Sequence, residues 1–225
     1  MSVVLPVRDG ARYLRESLDG VVAQTLQPHE ILVVDGGSTD GTREIAASFP
    51  EVTLLDQEGP NLSSAYNTGF ARATGDAVAL QAHDDLWAPE KLERQVAHLA
   101  ARPDLDLSLV STEVFADPEA RLPPGTRFEL VGGSRRLLVL EAMLLRSEAL
   151  RRVGGFREDL APLADTEWIA RFATVGIRHE FLDDCLVRKR LQAGSTMLGA
   201  GSDEVVRNLR AAIETRRRAR ERADR

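Results

Sequence analysis

The sequence contains a single cysteine, Cys185, among 225 residues. A lone cysteine excludes an internal disulfide and a metal site built from cysteine thiolates. Such sparing use of cysteine suits a reducing compartment. We expect Cys185 itself to be a small core residue.

The sequence also lacks long apolar runs and an excess of positive charge. No stretch reaches the roughly 20 apolar residues needed to span a bilayer, and Pro6 and Asp9 stand where a signal peptide would stay apolar. The formal net charge of -6 excludes a chain built to wrap nucleic acid. We therefore expect a cytoplasmic protein without nucleic-acid partners, which would meet a membrane only from its inner face.

Short β-branched runs alternate with helical patterns through the first half of the chain. Runs such as "SVVLPV" and "EILVVDGG" are typical of buried strands, and each is followed by apolar residues at helical spacing. This alternation predicts an α/β fold with a mostly parallel central sheet flanked by helices. Three of the strands end in the polar clusters "PVRDG", "VVDGGSTDG" and "LQAHDD". Parallel strands would bring these clusters to one edge of the sheet, where ligands bind.

Two of these clusters carry carboxylates with alternative interpretations. Asp84 and Asp85 in "AHDDLW" offer the hard oxygen ligands that Mg²⁺ or Mn²⁺ takes, or they form a strand-to-helix turn. Asp35 opens a glycine-rich loop that could receive a base or sugar, or that only precedes a helix cap. The loop has neither the dinucleotide-binding glycine spacing nor the Gly-Lys-Ser/Thr of a phosphate-binding loop.

The second half adds two charged features. Asp165 and Glu167 fall at a predicted helix start, where they either complement the helix dipole or supply a general base. The chain ends in a basic helical tail. This tail is either a solvated helix face or a docking site for anionic lipid or for an acidic partner. Its arginines are Arg216, Arg217, Arg218, Arg220 and Arg222.

Taken in order, these pieces resemble the family 2 glycosyltransferases of the GT-A fold. The resemblance rests on "VVLPVRDGARYLRESLDGVVAQT", "EILVVDGGSTDGT", "NTGFARATGD", "HDDLWAPEKLERQ", "VGGF" and "DTEW", and extends to about Ser195. It implies a Rossmann-like sandwich in a single domain, residues 1–201. Residues 1–115 would bind the nucleotide-sugar and residues 116–201 the acceptor, with the basic tail at 202–225.

The resemblance also implies roles for individual residues. Pro6, Val7 and Asp9 would line the nucleotide pocket, and Asp35 would contact the base, commonly uracil. Asp84 would hold Mn²⁺ or Mg²⁺ beside Asp85, and Asp165 would deprotonate the acceptor hydroxyl. Gly155 and Phe156 would lie at the turn beside the acceptor site. Glu167 and Trp168, which follow the general base Asp165, are the remaining substrate-binding positions.

The implied reaction is an inverting, metal-assisted hexosyl transfer without a covalent enzyme intermediate. Its donor would be a nucleotide-diphospho-sugar, and its acceptor a glycan, a lipid-linked molecule or a small molecule; a homodimer is compatible with the sequence. The chain departs from the family pattern at Tyr66, Ala82, Ala164 and Gln192, which in many relatives are Arg, Asp, Glu and His. These departures leave open a nucleotide-sugar-binding pseudoenzyme or partner protein. A nucleotidyltransferase is disfavoured, because "LPVRDGARY" has no lysine and only one glycine.

Overall fold

A computed structural model describes residues 1–117, 131–160 and 163–192. The strands in this part are β1 (Ser2–Val7), β2 (Glu30–Asp35), β3 (Val52–Asp56), β4 (Ala77–Leu80), β5 (Leu86–Trp87), β6 (Leu107–Ala116), β7 (Ser134–Arg135), β8 (Met143–Arg146) and β9 (His179–Leu191). The α-helices are α1 (Leu14–Val22), α2 (Thr42–Ala47), α3 (Leu62–Arg72), α4 (Lys91–Ala101), α5 (Ser147–Val153) and α6 (Ala164–Val175). Short 3-10 turns lie at Leu140–Ala142 and Glu158–Leu160.

The described strands form one sheet in the order β3-β2-β1-β4-β8-β6-β9-β5, with β7 paired to β6. The first four strands are parallel, as the alternating pattern predicts. Their carboxyl ends lie at one edge of the sheet, so the clusters after β1, β2 and β4 share that edge.

The other half of the sheet is mixed. Strand β8 runs antiparallel to both β4 and β6, while β9 runs parallel to β6. Strand β5, which pairs with β9, falls within what the sequence suggested was a turn. The chain thus keeps the predicted α/β class, and the long strand β9, followed by the short edge strand β5, forms the side of the sheet opposite β3.

Particular residues determine where helix α3 begins and how closely it packs on the sheet. Asn61 and Ser64 form a capping box at its start, each side chain accepting from the other residue's backbone N–H. Gly69 faces β1 so closely that a Cβ atom there would lie 2.3 Å from a Val4 methyl carbon. The glycine therefore sets how near the helix lies to the sheet.

The structure bears on the expectations for Cys185, for the basic tail and for membrane-spanning segments. Cys185 is exposed on β9, so its assignment to the core is wrong; the core pattern of this strand begins only at Val187. The basic tail and the segment 118–130 lie outside the described residues, so the expected contacts of the tail are not placed. Within the described part, no helix combines the length and the apolar composition needed to cross a bilayer.

The core contains a lysine side chain. Lys91, at the start of α4, is fully buried; its Nζ donates to Gln95 Oε1 at 2.8 Å and lies 3.9 Å from the centroid of the Trp87 ring. Burial lowers the pKa of Lys91 well below its ordinary value, although the carboxylate of Glu141 acts in the opposite direction.

This burial predicts a pH-dependent stability difference between the wild type and Lys91→Met. The unfolded lysine holds its proton up to about pH 10.4, whereas the folded one releases it at lower pH. Between those two pKa values the unfolded state binds more protons, so the wild type gains stability as pH rises, by up to about 1.4 kcal/mol per pH unit. Urea unfolding of both proteins from pH 7 to 9.5 measures the difference. A difference that stays constant over this range would mean that Lys91 titrates normally.

Candidate active site

A cavity of about 520 Å³ opens at the carboxyl edge of β1 and β4. Its walls come from the ends of β1, β4 and β9, from the start of α3 and of α6, and from the segment that leads into the 3-10 turn before β8. Pro6, Val7 and Arg8 line the β1 side, beside Gln57. The cavity therefore lies where the parallel strands were expected to present a ligand.

Asp9 and Asp35 shape the loop beside the cavity rather than its wall. Asp9 has a φ of +48°, and its Oδ1 accepts from the backbone N–H of Thr39 at 2.8 Å. Asp35 is 1% exposed; it accepts from the backbone of Ser38 and pairs with Arg43 Nη1 at 2.8 Å. Burial alone would raise the pKa of Asp35, but the bonds from Ser38 and Arg43 outweigh it and lower that pKa. Asp9 thus holds the β2–α2 loop against the β1 loop, whereas Asp35 fixes the β2–α2 loop from within. The expected contact of Asp35 with the nucleotide base stays a prediction.

The turn after β4 brings Asp84 to the cavity. Gln192, which follows β9, donates from Nε2 to Asp84 Oδ2 at 2.7 Å. The other carboxylate oxygen of Asp84 lies 4.0 Å from His83 Nδ1. Burial lowers the pKa of His83 despite the nearby Asp84 carboxylate, so this imidazole is neutral at pH 7. Both residues line the cavity together with Ala82.

Behind Asp84 lies a buried cluster of two carboxylates and one ammonium group. Lys189 Nζ is 2.9 Å from Asp85 Oδ2 and 3.1 Å from Glu141 Oε1. Asp85 also accepts the backbone N–H of Arg190 at 2.7 Å, which ties the turn to β9. Burial lowers the pKa of Lys189, but Glu141 and then Asp85 outweigh it and raise that pKa, so the ammonium group keeps its charge.

Arg190 holds the outer part of this wall. Its Nε donates to the backbone oxygen of Asp84 at 2.9 Å and its Nη2 pairs with Glu16 at 2.6 Å. The guanidinium group lies between the rings of Tyr13 and Phe115, 4.6 and 4.7 Å from their centroids. Residues of β9 thus fix both the backbone and the side chains of the turn after β4.

The opposite wall carries Asp165, in the first turn of α6. The residue is exposed and lines the cavity, and its Oδ1 accepts from the backbone N–H of Thr166 at 2.6 Å. Tyr66 lines the cavity nearby and packs on Phe156, with ring centroids 5.1 Å apart. Burial and then the Glu141 carboxylate raise the pKa of Tyr66 well above its usual value, so its phenol stays protonated.

A network behind this wall fixes the turn that contains Gly155. Asn67 accepts the N–H of Phe156 at 2.7 Å, and Arg171 donates to the Gly155 carbonyl at 2.6 Å. Glu167 pairs with Arg171 at 3.2 Å, and Trp168 Nε1 donates to the Gly154 carbonyl at 2.8 Å. A Cβ atom at Gly155 would meet Asn67 Oδ1 at 2.5 Å, so the tight turn needs glycine.

The predicted site residues therefore fall into two groups. Those that line the cavity are Pro6, Val7, Asp84, Phe156 and Asp165. Those that do not line the cavity are Asp9 and Asp35, in the loops beside it, and Asp85, Gly155, Glu167 and Trp168, behind its wall. Asp85 and Trp168 are fully buried, Asp85 against Lys189 and Trp168 with its Nε1 on the Gly154 carbonyl, and their predicted contact with substrate stays a prediction.

Sequence reasoning missed Glu141 and Lys189, which line the cavity. The available signals were an isolated acid in the apolar run "LVLEAMLL" and a lysine between two arginines in "RKR".

The donor set fits a divalent cation held by one carboxylate. In the described part of the chain, no group of three or more His, Cys, Asp or Glu side chains is arranged to enclose a metal ion. Asp84 nevertheless presents a carboxylate to the cavity, and Mg²⁺ commonly takes one or two carboxylates and completes its shell with water and substrate phosphates. The residues present therefore suit an ion shared with a bound diphosphate rather than a closed protein cage.

Relatives of this chain are glycosyltransferases. An uncharacterized glycosyltransferase of Rickettsia prowazekii is 28% identical over 208 residues, 87% of this chain and 65% of that protein. A putative glycosyltransferase of Bacillus subtilis, EpsE, is 27% identical over 84% of this chain and 72% of its own length. An uncharacterized glycosyltransferase of Nostoc is 39% identical over 43% of this chain, but 31% of its own length. The chain thus spans under two thirds of the Rickettsia and Nostoc proteins.

Solved structures share the fold of this chain. Residues 1–349 of Staphylococcus aureus TarS in complex with UDP give a TM-score of 0.66 at 21% identity, over 84% of this chain and 60% of that chain. The mannosyltransferase PcManGT of Pyrobaculum calidifontis, in complex with GDP-Man and Mn²⁺, gives a TM-score of 0.64 at 25% identity, over 87% of this chain and 57% of that chain. The predicted GT-A fold class is confirmed. The family model for glycosyl transferase family 2 matches residues 2–158. The chain belongs to glycosyl transferase family 2.

Proposed function

We propose that this protein is an inverting glycosyltransferase that moves a hexosyl group from a nucleotide-diphospho-sugar, a UDP-sugar by preference, to an acceptor hydroxyl. The observation that carries the proposal is one cavity with Asp84 on the β4 wall and Asp165 on the α6 wall. Residues 1–115 supply the nucleotide side and 116–201 the acceptor side. The acceptor is a glycan, a lipid-linked molecule or a small molecule, and the site of action is the cytoplasm or the inner face of a membrane.

The protein's own groups are suited to a single displacement. Asp165 is exposed at the cavity, so its carboxylate can accept the proton of the acceptor hydroxyl. That oxygen forms a bond to the anomeric carbon while the bond from this carbon to the diphosphate oxygen breaks, and the bonding electron pair leaves with the nucleotide. Attack from the face opposite the leaving group inverts the anomeric configuration, and no enzyme nucleophile is required.

Asp84 is the residue that would hold Mn²⁺ or Mg²⁺. When bound, the cation would supply positive charge to the diphosphate leaving group. Gln192 orients the Asp84 carboxylate through its 2.7 Å bond, and Arg190 fixes the same turn through the Asp84 carbonyl. These contacts support the family role of Asp84 although Ala82 and Gln192 depart from the family pattern.

A donor screen tests this function. Thermal shift with UDP, GDP, dTDP and their sugars, each with Mn²⁺ and with chelator, identifies the nucleotide, and release of nucleoside diphosphate from the same donors measures turnover. We expect stabilisation by a uridine donor that is larger with Mn²⁺, accompanied by slow release of UDP to water or to acceptor. Binding without any release across an acceptor panel would favour the pseudoenzyme instead, and no binding at all would refute the assignment.

A further inference from the structure

Glu141 occupies an unusual place in the cavity wall. It belongs to the 3-10 turn that precedes β8, and that turn packs against β4. Strands β4 and β8 are antiparallel, with Ala79 opposite Leu144. Continuing this register toward the cavity brings Ala82 to about the level of the turn that carries Glu141. Both residues line the cavity, so the neighbouring segment brings a carboxylate to the wall at about the level of Ala82.

The Glu141 carboxylate is only half used by the protein. The residue is 6% exposed; Oε1 pairs with Lys189 at 3.1 Å, whereas Oε2 is buried without a hydrogen-bond partner in the part of the chain that the structure describes. A buried carboxylate oxygen left without a donor is costly, and native proteins rarely keep one. The terminal torsion of a glutamate is broad, so a small rotation can turn Oε2 toward a ligand in the cavity.

The surroundings of Glu141 indicate which part of a donor would lie there. Lys189, its partner, also pairs with Asp85, directly behind the candidate metal ligand Asp84. Tyr66 lines the same cavity as Glu141 and Asp165. Glu141 thus lies on the cavity wall next to the cluster that backs Asp84, in the same cavity as the proposed base Asp165. We assign this part of the wall to the sugar being transferred, because the proposed function puts the nucleoside on the side of Pro6 and Val7.

We propose that Glu141 binds the transferred sugar, its carboxylate accepting a hydrogen bond from a hydroxyl group of that sugar. The inference rests on the proposed function and deepens it. Lys189 pairs with one oxygen of the carboxylate, and the second oxygen is left for a ligand. An ionised acceptor makes a stronger bond to a hydroxyl than a neutral one does. Glu141 is therefore a determinant of donor-sugar affinity on the wall opposite Asp165.

Comparison of a nucleotide with its sugar conjugate tests this role. Affinities of UDP, UDP-glucose, UDP-N-acetylglucosamine, GDP and GDP-mannose are measured by calorimetry for the wild type, Glu141→Gln and Glu141→Ala. For the nucleotide-sugar that binds the wild type most tightly, we expect a loss of about tenfold in Glu141→Gln and a larger loss in Glu141→Ala. The free nucleoside diphosphate should bind all three proteins within about twofold, because a missing sugar contact cannot affect it.

The control is Glu113→Gln, which removes the same charge on β6 from a pair with Arg188 outside the cavity. It should leave both affinities unchanged. Equal weakening of nucleotide and nucleotide-sugar in the Glu141 variants would show a purely structural role and overturn the inference, as would unchanged affinities. If the wild type binds no nucleotide of the panel, the proposed function fails, and the inference fails with it.

Discussion

Replacing Asp165 with alanine should reduce transfer by a factor of about a hundred to ten thousand, the usual contribution of a general base. The carboxylate lines the cavity at the start of α6, and its hydrogen bonds within the described structure go to its own helix turn. Its removal should therefore leave the fold and the donor pocket intact. Release of nucleoside diphosphate measures the loss, and calorimetry with the same donor should give a dissociation constant within about threefold of the wild type.

Asp159→Asn is a suitable control for this variant. Asp159 is a nearby exposed carboxylate that pairs with Arg157 and does not line the cavity. Near-normal turnover of Asp165→Ala would refute the assignment of the base and direct attention to Glu167. That residue is a weaker candidate in this structure, because its carboxylate is engaged by Arg171 behind the cavity wall.

Replacing Asp84 with asparagine should also lower transfer by about a hundredfold or more, since stabilisation of a leaving diphosphate by a metal ion is worth several kcal/mol. Asparagine keeps the shape of the side chain and can still accept the bond from Gln192, so the wall should survive. The specific expectation concerns binding. The wild type should hold the donor more tightly with Mn²⁺ than with chelator, whereas Asp84→Asn should give the same affinity in both.

Glu113→Gln is again the control, because it removes one negative charge outside the cavity. Like the wild type, it should bind the donor more tightly with Mn²⁺ than with chelator. Persistence of that effect in Asp84→Asn would place the cation elsewhere, and Glu141 would then be the first alternative. Loss of donor affinity both with Mn²⁺ and with chelator would instead assign Asp84 a direct contact with the donor.

The parallel half of the fold could be predicted because its signals are local. Each strand from β1 to β4 is a short apolar run followed by turn residues and a helical pattern, and parallel pairing then brings Pro6, Val7 and Asp84 to one edge. The direction of β8 could not be predicted this way. An apolar run such as "AMLLR" has the same composition whether it runs parallel or antiparallel to its neighbour.

The site was predictable where a carboxylate faces the cavity from its own strand or helix end, as Asp84 and Asp165 do. Prediction failed where a side chain's environment comes from distant segments. Asp85 looks equivalent to Asp84 in the sequence, yet Lys189 and the backbone of Arg190 enclose it. Glu141 likewise becomes a wall residue only through the register of β8 on β4. The sequence shows that Ala82 replaces a carboxylate of the family pattern, but it does not show that Glu141 brings a carboxylate to the same cavity.

The position of β9 at the end of the described chain bears on how the protein is made. Asp85 and its partner Lys189 are separated by 104 residues, so during translation the aspartate leaves the ribosome roughly 5 to 20 seconds before its counter-ion. Until then the strands β1 to β4 can pair, but the turn after β4 lacks Lys189, Arg190 and Gln192. A nascent chain that ends before β9 therefore leaves the acidic turn without these partners, and the wall that carries Asp84 is complete only once β9 has joined the sheet.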